Sequence, residues 1–204
     1  MGDAGDCLEQ KLRELVCLNA PVITGLKPCG IISVSEREYF ALSRLFSGGA
    51  ISLLPLYSGR RVTFLFYREE RLSEQLSDPE LRAQLLELAP SYGEFGPALS
   101  ALLRHFRERY LRYKRGEQGF PHELGLFLGY PAADVRGYLL HAGTGAKLCG
   151  YWKVYGDVRA ALRTFQAYDV SVQSFFLMAG HGVPLEQLLS LCPRRESSVA
   201  RSSL

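Results

Sequence analysis

No part of this 204-residue chain is both long enough and apolar enough to read as a membrane span. The most hydrophobic late stretch, residues 170–191, is interrupted by Gln173, Gly180, His181, Gly182, Pro184 and Glu186. Metal-binding spacings are missing as well. There is no Cys-x-x-Cys, no His-x-x-x-His and no compact carboxylate cluster, and His105, His141 and His181 are scattered, so no dedicated metal site is expected. A net charge of +3 falls short of the concentrated basic face that nucleic acid demands. The five cysteines, Cys7, Cys17, Cys29, Cys149 and Cys192, are odd in number and irregular in spacing. Residues 1–9 are polar and acidic, without a basic segment leading into an apolar run. Free thiols in a reducing cytoplasm are the expectation.

What is present is the composition of a globular body. The chain is 47% hydrophobic and 22% charged, with eleven Phe and eleven Tyr, which excludes disorder for most of its length. Leu8, Leu12, Leu15 and Val16 recur at helical spacing. Residues 20–28, with two prolines and a glycine, read as a loop, and residues 30–34 as a short buried strand. Ser35 and Glu38 form a capping box at the start of a helix that Gly48 and Gly49 stop. Residues 51–57 and 61–67 are β-rich runs around Ser-Gly-Arg, a hairpin signal, and Pro55 assigns the first run to a sheet edge or bulge. Asp78 precedes Pro79 as a helix N-cap, and Leu99, Leu102, Leu103, Phe106 and Tyr110 mark the most regular helix. Its outer Arg/Lys run reads as a solvated face. Asp157 caps a later helix, with two short helices to follow, broken at Gly180 and Gly182. The fold class is therefore α+β (mixed α/β): a three- to five-stranded sheet packed by helices. Residues 1–192 form one domain with 169–192 as a helical extension, and 193–204 are a disordered tail.

Residues 120–156 carry the sharpest signals. The spacing of Leu124, Gly125, Leu128, Gly129, Val135 and Tyr138 suits a helix-turn-helix, but the second helix would offer only Arg136 to a base edge while Asp134 faced phosphate. A helical hairpin used for packing is the preferred reading. Gly143-Thr-Gly-Ala-Lys147 lacks the Gly-Lys-Ser/Thr of a phosphate loop and reads instead as a helix C-cap and turn. Residues 148–155 read as one strand. Alternation places Leu148, Trp152 and Val154 on a core face, with Cys149, Tyr151, Lys153 and Tyr155 opposite. That second face could line a pocket for a planar or anionic ligand, or stand in solvent. Cys149 with His122 would suit thiol chemistry if a cation lay beside the sulfur, but a buried, inert Cys149 and a surface His122 are the preferred reading. Lys27 sits between Gly25 and Pro28, a stiff setting for a placed cation, but a simple exposed lysine is the preferred reading.

The segments FPHELGLFLGYP (120–131) and LCGYWKVYGD (148–157), with AP-x-x-x-GLKP (20–28), resemble a bacterial family of proteins of unknown function and similar length, common in anaerobes. The resemblance covers about residues 7–168; beyond Tyr168 the chain looks like an extension, and Asn19 stands where cysteine is expected. It implies a cytosolic protein in an iron or redox context, with a flavodoxin-like or iron-handling partner, and it assigns no reaction or cofactor. The leading expectation is an accessory protein that binds a small anionic or redox-related ligand, or a redox partner. Lys27, His122, Glu123, Tyr151 and Lys153 would bind, and Cys149 would be the reactive atom if chemistry occurs. The alternatives are a thiol-dependent enzyme using Cys149 and His122, and a DNA-binding regulator built on residues 121–140.

Overall fold

A three-stranded antiparallel sheet between two layers of helices organises the protein. The structure, a computed structural model, describes residues 3–191. The expected tail and Cys192 lie outside the described residues. Strands β1 (Cys29–Val34), β2 (Ile51–Ser58) and β3 (Val62–Arg68) are arranged in the order β1-β3-β2. The central strand is apolar nearly throughout because both its faces are covered. Phe64 and Phe66 join one core, with Val34, Ile51 and residues of α1 (Asp3–Leu18), α2 (Ala20–Ile23) and α3 (Glu36–Leu45). Leu65 joins the other core, with Leu56, Cys29 and residues of α4 (Glu69–Leu76), α5 (Pro79–Leu88) and α6 (Leu99–Lys114).

The local signals produce the elements they name. Ser35 and Glu38 make both hydrogen bonds of the capping box. Asp78 accepts from the Glu80 and Leu81 amides, and Asp157 from the Ala160 amide. Pro55 lies on an edge strand beside a bulge, where its missing N–H leaves no ladder bond unmade.

Three expectations need correction. Residues 20–23 form a helical turn rather than a loop; Pro21 suits a first turn, whose N–H groups have no helical partner anyway. Residues 148–155 form a hairpin of two-residue strands, β4 (Leu148–Cys149) and β5 (Lys153–Val154), not one strand. Gly150 permits the reversal: a Cβ there would lie 2.3 Å from the Phe165 ring, so only hydrogen fits. The helix begun at Asp157 does not break near Tyr168. It continues as α9 (Val158–Gly180), because Ala161, Phe165, Tyr168 and Phe175 keep one face buried. After it, α10 (Leu185–Ser190) buries Leu185 and Leu188 in the same core as Phe64, so residues 169–191 pack into the body. No helix among the described residues is long and apolar enough to cross a membrane.

Candidate functional site

Residues 120–156 fold into a compact unit against the helical layers. The expected helical hairpin is reduced to a single turn, α7 (Leu124–Phe127), followed by α8 (Ala132–Leu140). Ala132, Asp134, Val135 and Gly137 are buried, so that face of α8 packs inward rather than presenting a reading surface. The turn after α8 carries Gly143 and Gly145, and the Lys147 ammonium donates to the Gly156 carbonyl at 3.1 Å.

Asp134 pins the hairpin to α8. Its carboxylate is 3% exposed and accepts three hydrogen bonds of 2.7 Å, from Trp152 Nε1, the Tyr155 amide and the Gly156 amide. A buried carboxylate needs such donors to replace water. Gly137 lets the helix approach: a Cβ on it would fall 2.4 Å from Tyr155 Cβ.

The unit encloses a cleft of ≈ 330 Å3. Phe120, Tyr130, Tyr138 and Trp152 supply aromatic walls, and Leu124, Leu128 and Val135 supply aliphatic ones. Trp152 stacks on Tyr130 at 5.3 Å and meets Phe165 edge-on at 4.5 Å, which holds the indole in place. Volume and lining match a small-molecule pocket of about 300–1,000 Å3. Two nitrogen groups accompany the aromatic walls. His122 packs between Phe120, at 5.3 Å, and Tyr138, at 5.8 Å. Lys153 donates to the Gly143 carbonyl at 2.6 Å and stands 5.9 Å above the Tyr138 ring.

Of the residues the sequence singled out, His122 and Lys153 therefore share this cleft. Glu123, next in sequence to His122, points the other way. It is 1% exposed, paired with Arg109 Nε at 2.5 Å, and accepts from the Tyr92 hydroxyl at 3.4 Å. It is committed to a buried ion pair rather than to the cleft. Tyr151 lies outside the cleft, donating to Asp169 at 2.9 Å and meeting Tyr168 edge-on. Burial first, and then the Asp169 hydrogen bond, push its phenol up to about 12. Cys149 is exposed rather than buried as expected, because it lies on the outer face of the hairpin opposite Lys153, also outside the cleft lining. Lys27 does not line the cleft either; its ammonium lies 5.9 Å over the ring of Tyr130. Of Lys27, Cys149 and His122, only His122 lines the cleft. Among the described residues there is no group of three His, Cys, Asp or Glu able to hold a metal.

Sequence reasoning missed Phe120, Tyr130, Tyr138 and Asp134 as site residues and placed Trp152 in the core alone. The clue was an acid one turn into a helix after Pro131, followed by a lone tryptophan in an aromatic segment. Such an acid in a first turn is also what the helix dipole favours, so the clue does not discriminate.

A family profile described as "Protein of unknown function (DUF3793)" matches residues 15–189, and the chain belongs to that family. The match runs through α9 into α10, past the Tyr168 limit set by the resemblance. No curated protein and no solved structure matches the chain.

Proposed function

We propose that this member of the DUF3793 family binds, in the cleft beside Trp152, a small ligand with a flat apolar body and an anionic group. The observation that carries the reading is the pairing of four aromatic walls with Lys153 and His122 in a ≈ 330 Å3 cleft. Aromatic rings supply area to a planar body at little conformational cost, and an ammonium beside them orients an anion. The rigid support of Trp152 by Asp134, Tyr130 and Phe165 favours a pre-formed site. The iron and flavodoxin setting implied by the resemblance makes redox-related ligands the first to try, with the protein serving a redox partner.

Trp152 is the only tryptophan, so its fluorescence reports on the cleft directly. Titration with flavin mononucleotide, a phosphate-free flavin and simple aromatic carboxylates is expected to quench it saturably for the anionic members. Lys153→Ala weakens that binding about tenfold, the effect of losing ~1.4 kcal/mol. Absence of saturable quenching across the panel, or equal affinity in Lys153→Ala, overturns the proposal.

A further inference from the structure

Most hydrogen-bond donors around the cleft are already spent. Leu124, Gly125, Leu128, Tyr130, Asp134 and Val135 line it, and each of their backbone amides donates to a carbonyl a few residues earlier, at 2.9–3.1 Å. The Trp152 indole N–H is committed to Asp134 at 2.7 Å, and the Tyr130 hydroxyl to the Tyr151 carbonyl at 3.2 Å. Lys153, His122 and Tyr138 still have donors to offer. An ammonium carries three N–H groups, and the Gly143 carbonyl takes one of those on Lys153. Among the described residues, neither the His122 ring nor the Tyr138 hydroxyl has a hydrogen-bond partner. The three lie together, with the Lys153 ammonium 5.9 Å and the His122 ring 5.8 Å from the Tyr138 ring.

The charge of the lining is equally spare. It holds one ammonium, Lys153, one carboxylate, Asp134, and no guanidinium. Protein sites for phosphate use guanidinium forks or several unspent backbone N–H groups, and this lining offers neither. A carboxylate ligand brings one negative charge, which Lys153 balances. A phosphate monoester brings about 1.5 to 2 negative charges at neutral pH and three acceptor oxygens. One ammonium leaves part of that charge unbalanced. The Asp134 carboxylate then repels the remainder inside a cleft of ≈ 330 Å3, where water screens less than it does in bulk.

We propose that the anionic group this cleft accepts is a single carboxylate, so that it selects planar aromatic carboxylates over phosphate esters of the same ring. The inference rests on the cleft reading above and narrows it to a ligand class. Lys153 pairs with the carboxylate, His122 and Tyr138 supply the remaining hydrogen bonds, and the ring rests among the aromatic walls.

The test is isothermal titration calorimetry on the full chain with three ligands that share one ring system: 1-naphthoate, 1-naphthyl phosphate and 1-naphthalenemethanol. At about pH 7.5 the phosphate is mostly doubly charged. 1-Naphthoate is expected to bind about tenfold or more tightly than either of the others, and Lys153→Ala to reduce it to the level of the alcohol. Naphthyl phosphate binding as tightly as naphthoate or tighter, with both weakened in Lys153→Ala, overturns the carboxylate preference and leaves the cleft reading standing. Saturable binding by none of the three, naphthoate binding no tighter than the alcohol, or binding untouched by Lys153→Ala overturns both.

Discussion

Replacing Asp134 by alanine removes one carboxylate and leaves three donors without their acceptor. The Trp152 indole N–H is in a buried bond, while the Tyr155 and Gly156 amides are part-buried and can recover some hydration. A hydrogen bond to a charged acceptor contributes about 1.5–3 kcal/mol, and a buried donor left unsatisfied costs about 1–3 kcal/mol. Allowing water to reach the two amides, Asp134→Ala is expected to lose about 3–5 kcal/mol. Against a total stability of about 5–15 kcal/mol, that is a large loss from one side chain. Asp134→Asn keeps the shape and one acceptor oxygen, and is expected to lose about half as much. Urea unfolding followed by Trp152 emission measures both, with the midpoint shifting while the slope stays constant. The native emission spectrum should also shift as the indole loses its partner. A loss below about 1 kcal/mol in Asp134→Ala, with unchanged emission, would refute the claim that this carboxylate holds the hairpin to α8.

Gly137→Ala ought to stabilise an isolated helix, yet it places a Cβ 2.4 Å from Tyr155 Cβ, which sits next to backbone and cannot swing aside. A net loss of about 1–3 kcal/mol in thermal unfolding is expected, and a gain would show that the hairpin is not seated as described. Glu123→Ala leaves Arg109 and the Tyr92 hydroxyl without their shared partner; Arg109 keeps some exposure, so a loss of about 2–4 kcal/mol is expected from denaturant titration. Cleft binding should survive in that variant, and selective loss of binding with full stability would return Glu123 to the site. In the native protein, iodoacetamide is expected to reach Cys7 and Cys149, which are exposed, and to spare Cys17 and Cys29, which are buried. The Cys29 thiol is pushed up from 9.0 to about 12 by burial. The fold holds its neutral form, so that contribution is complete below pH 9 and is lost as the pH rises toward 12, because the unfolded chain releases the proton first. Urea midpoints should fall over that window less steeply in Cys29→Ala than in the parent chain; parallel profiles would contradict this.

Several elements were legible from residues a few positions apart. The Ser35–Glu38 box, the Asp78 and Asp157 caps, the Ser-Gly-Arg hairpin and the apolar period of residues 99–110 all act through hydrogen bonds or faces closed within a turn or two. β3 was visible as a β-rich run, though not its burial on both faces, and the edge or bulge position in β2 through Pro55. The alternation that put Trp152 and Val154 on a core face, opposite Cys149 and Lys153, matches their burial even though the strand is a hairpin. Burial follows from which side chains are apolar, whereas the path of the chain followed from Phe165 meeting Gly150.

The candidate site was only partly legible. His122 and Glu123 are adjacent in sequence, and nothing local says that one faces the cleft while the other turns toward Arg109. Likewise the place of Lys27, over the Tyr130 ring yet outside the cleft lining, depends on segments far apart in sequence. Residue types and short-range spacing thus determined the class of the protein, its helix starts and its central sheet. Tertiary packing alone decided that Asp134 is a clamp, that Glu123 is a buried counter-ion and that Lys153 and His122 share a cleft. The physical reason is that caps and periodicity act over neighbouring residues, whereas desolvation and pairing depend on segments brought together only when the core forms.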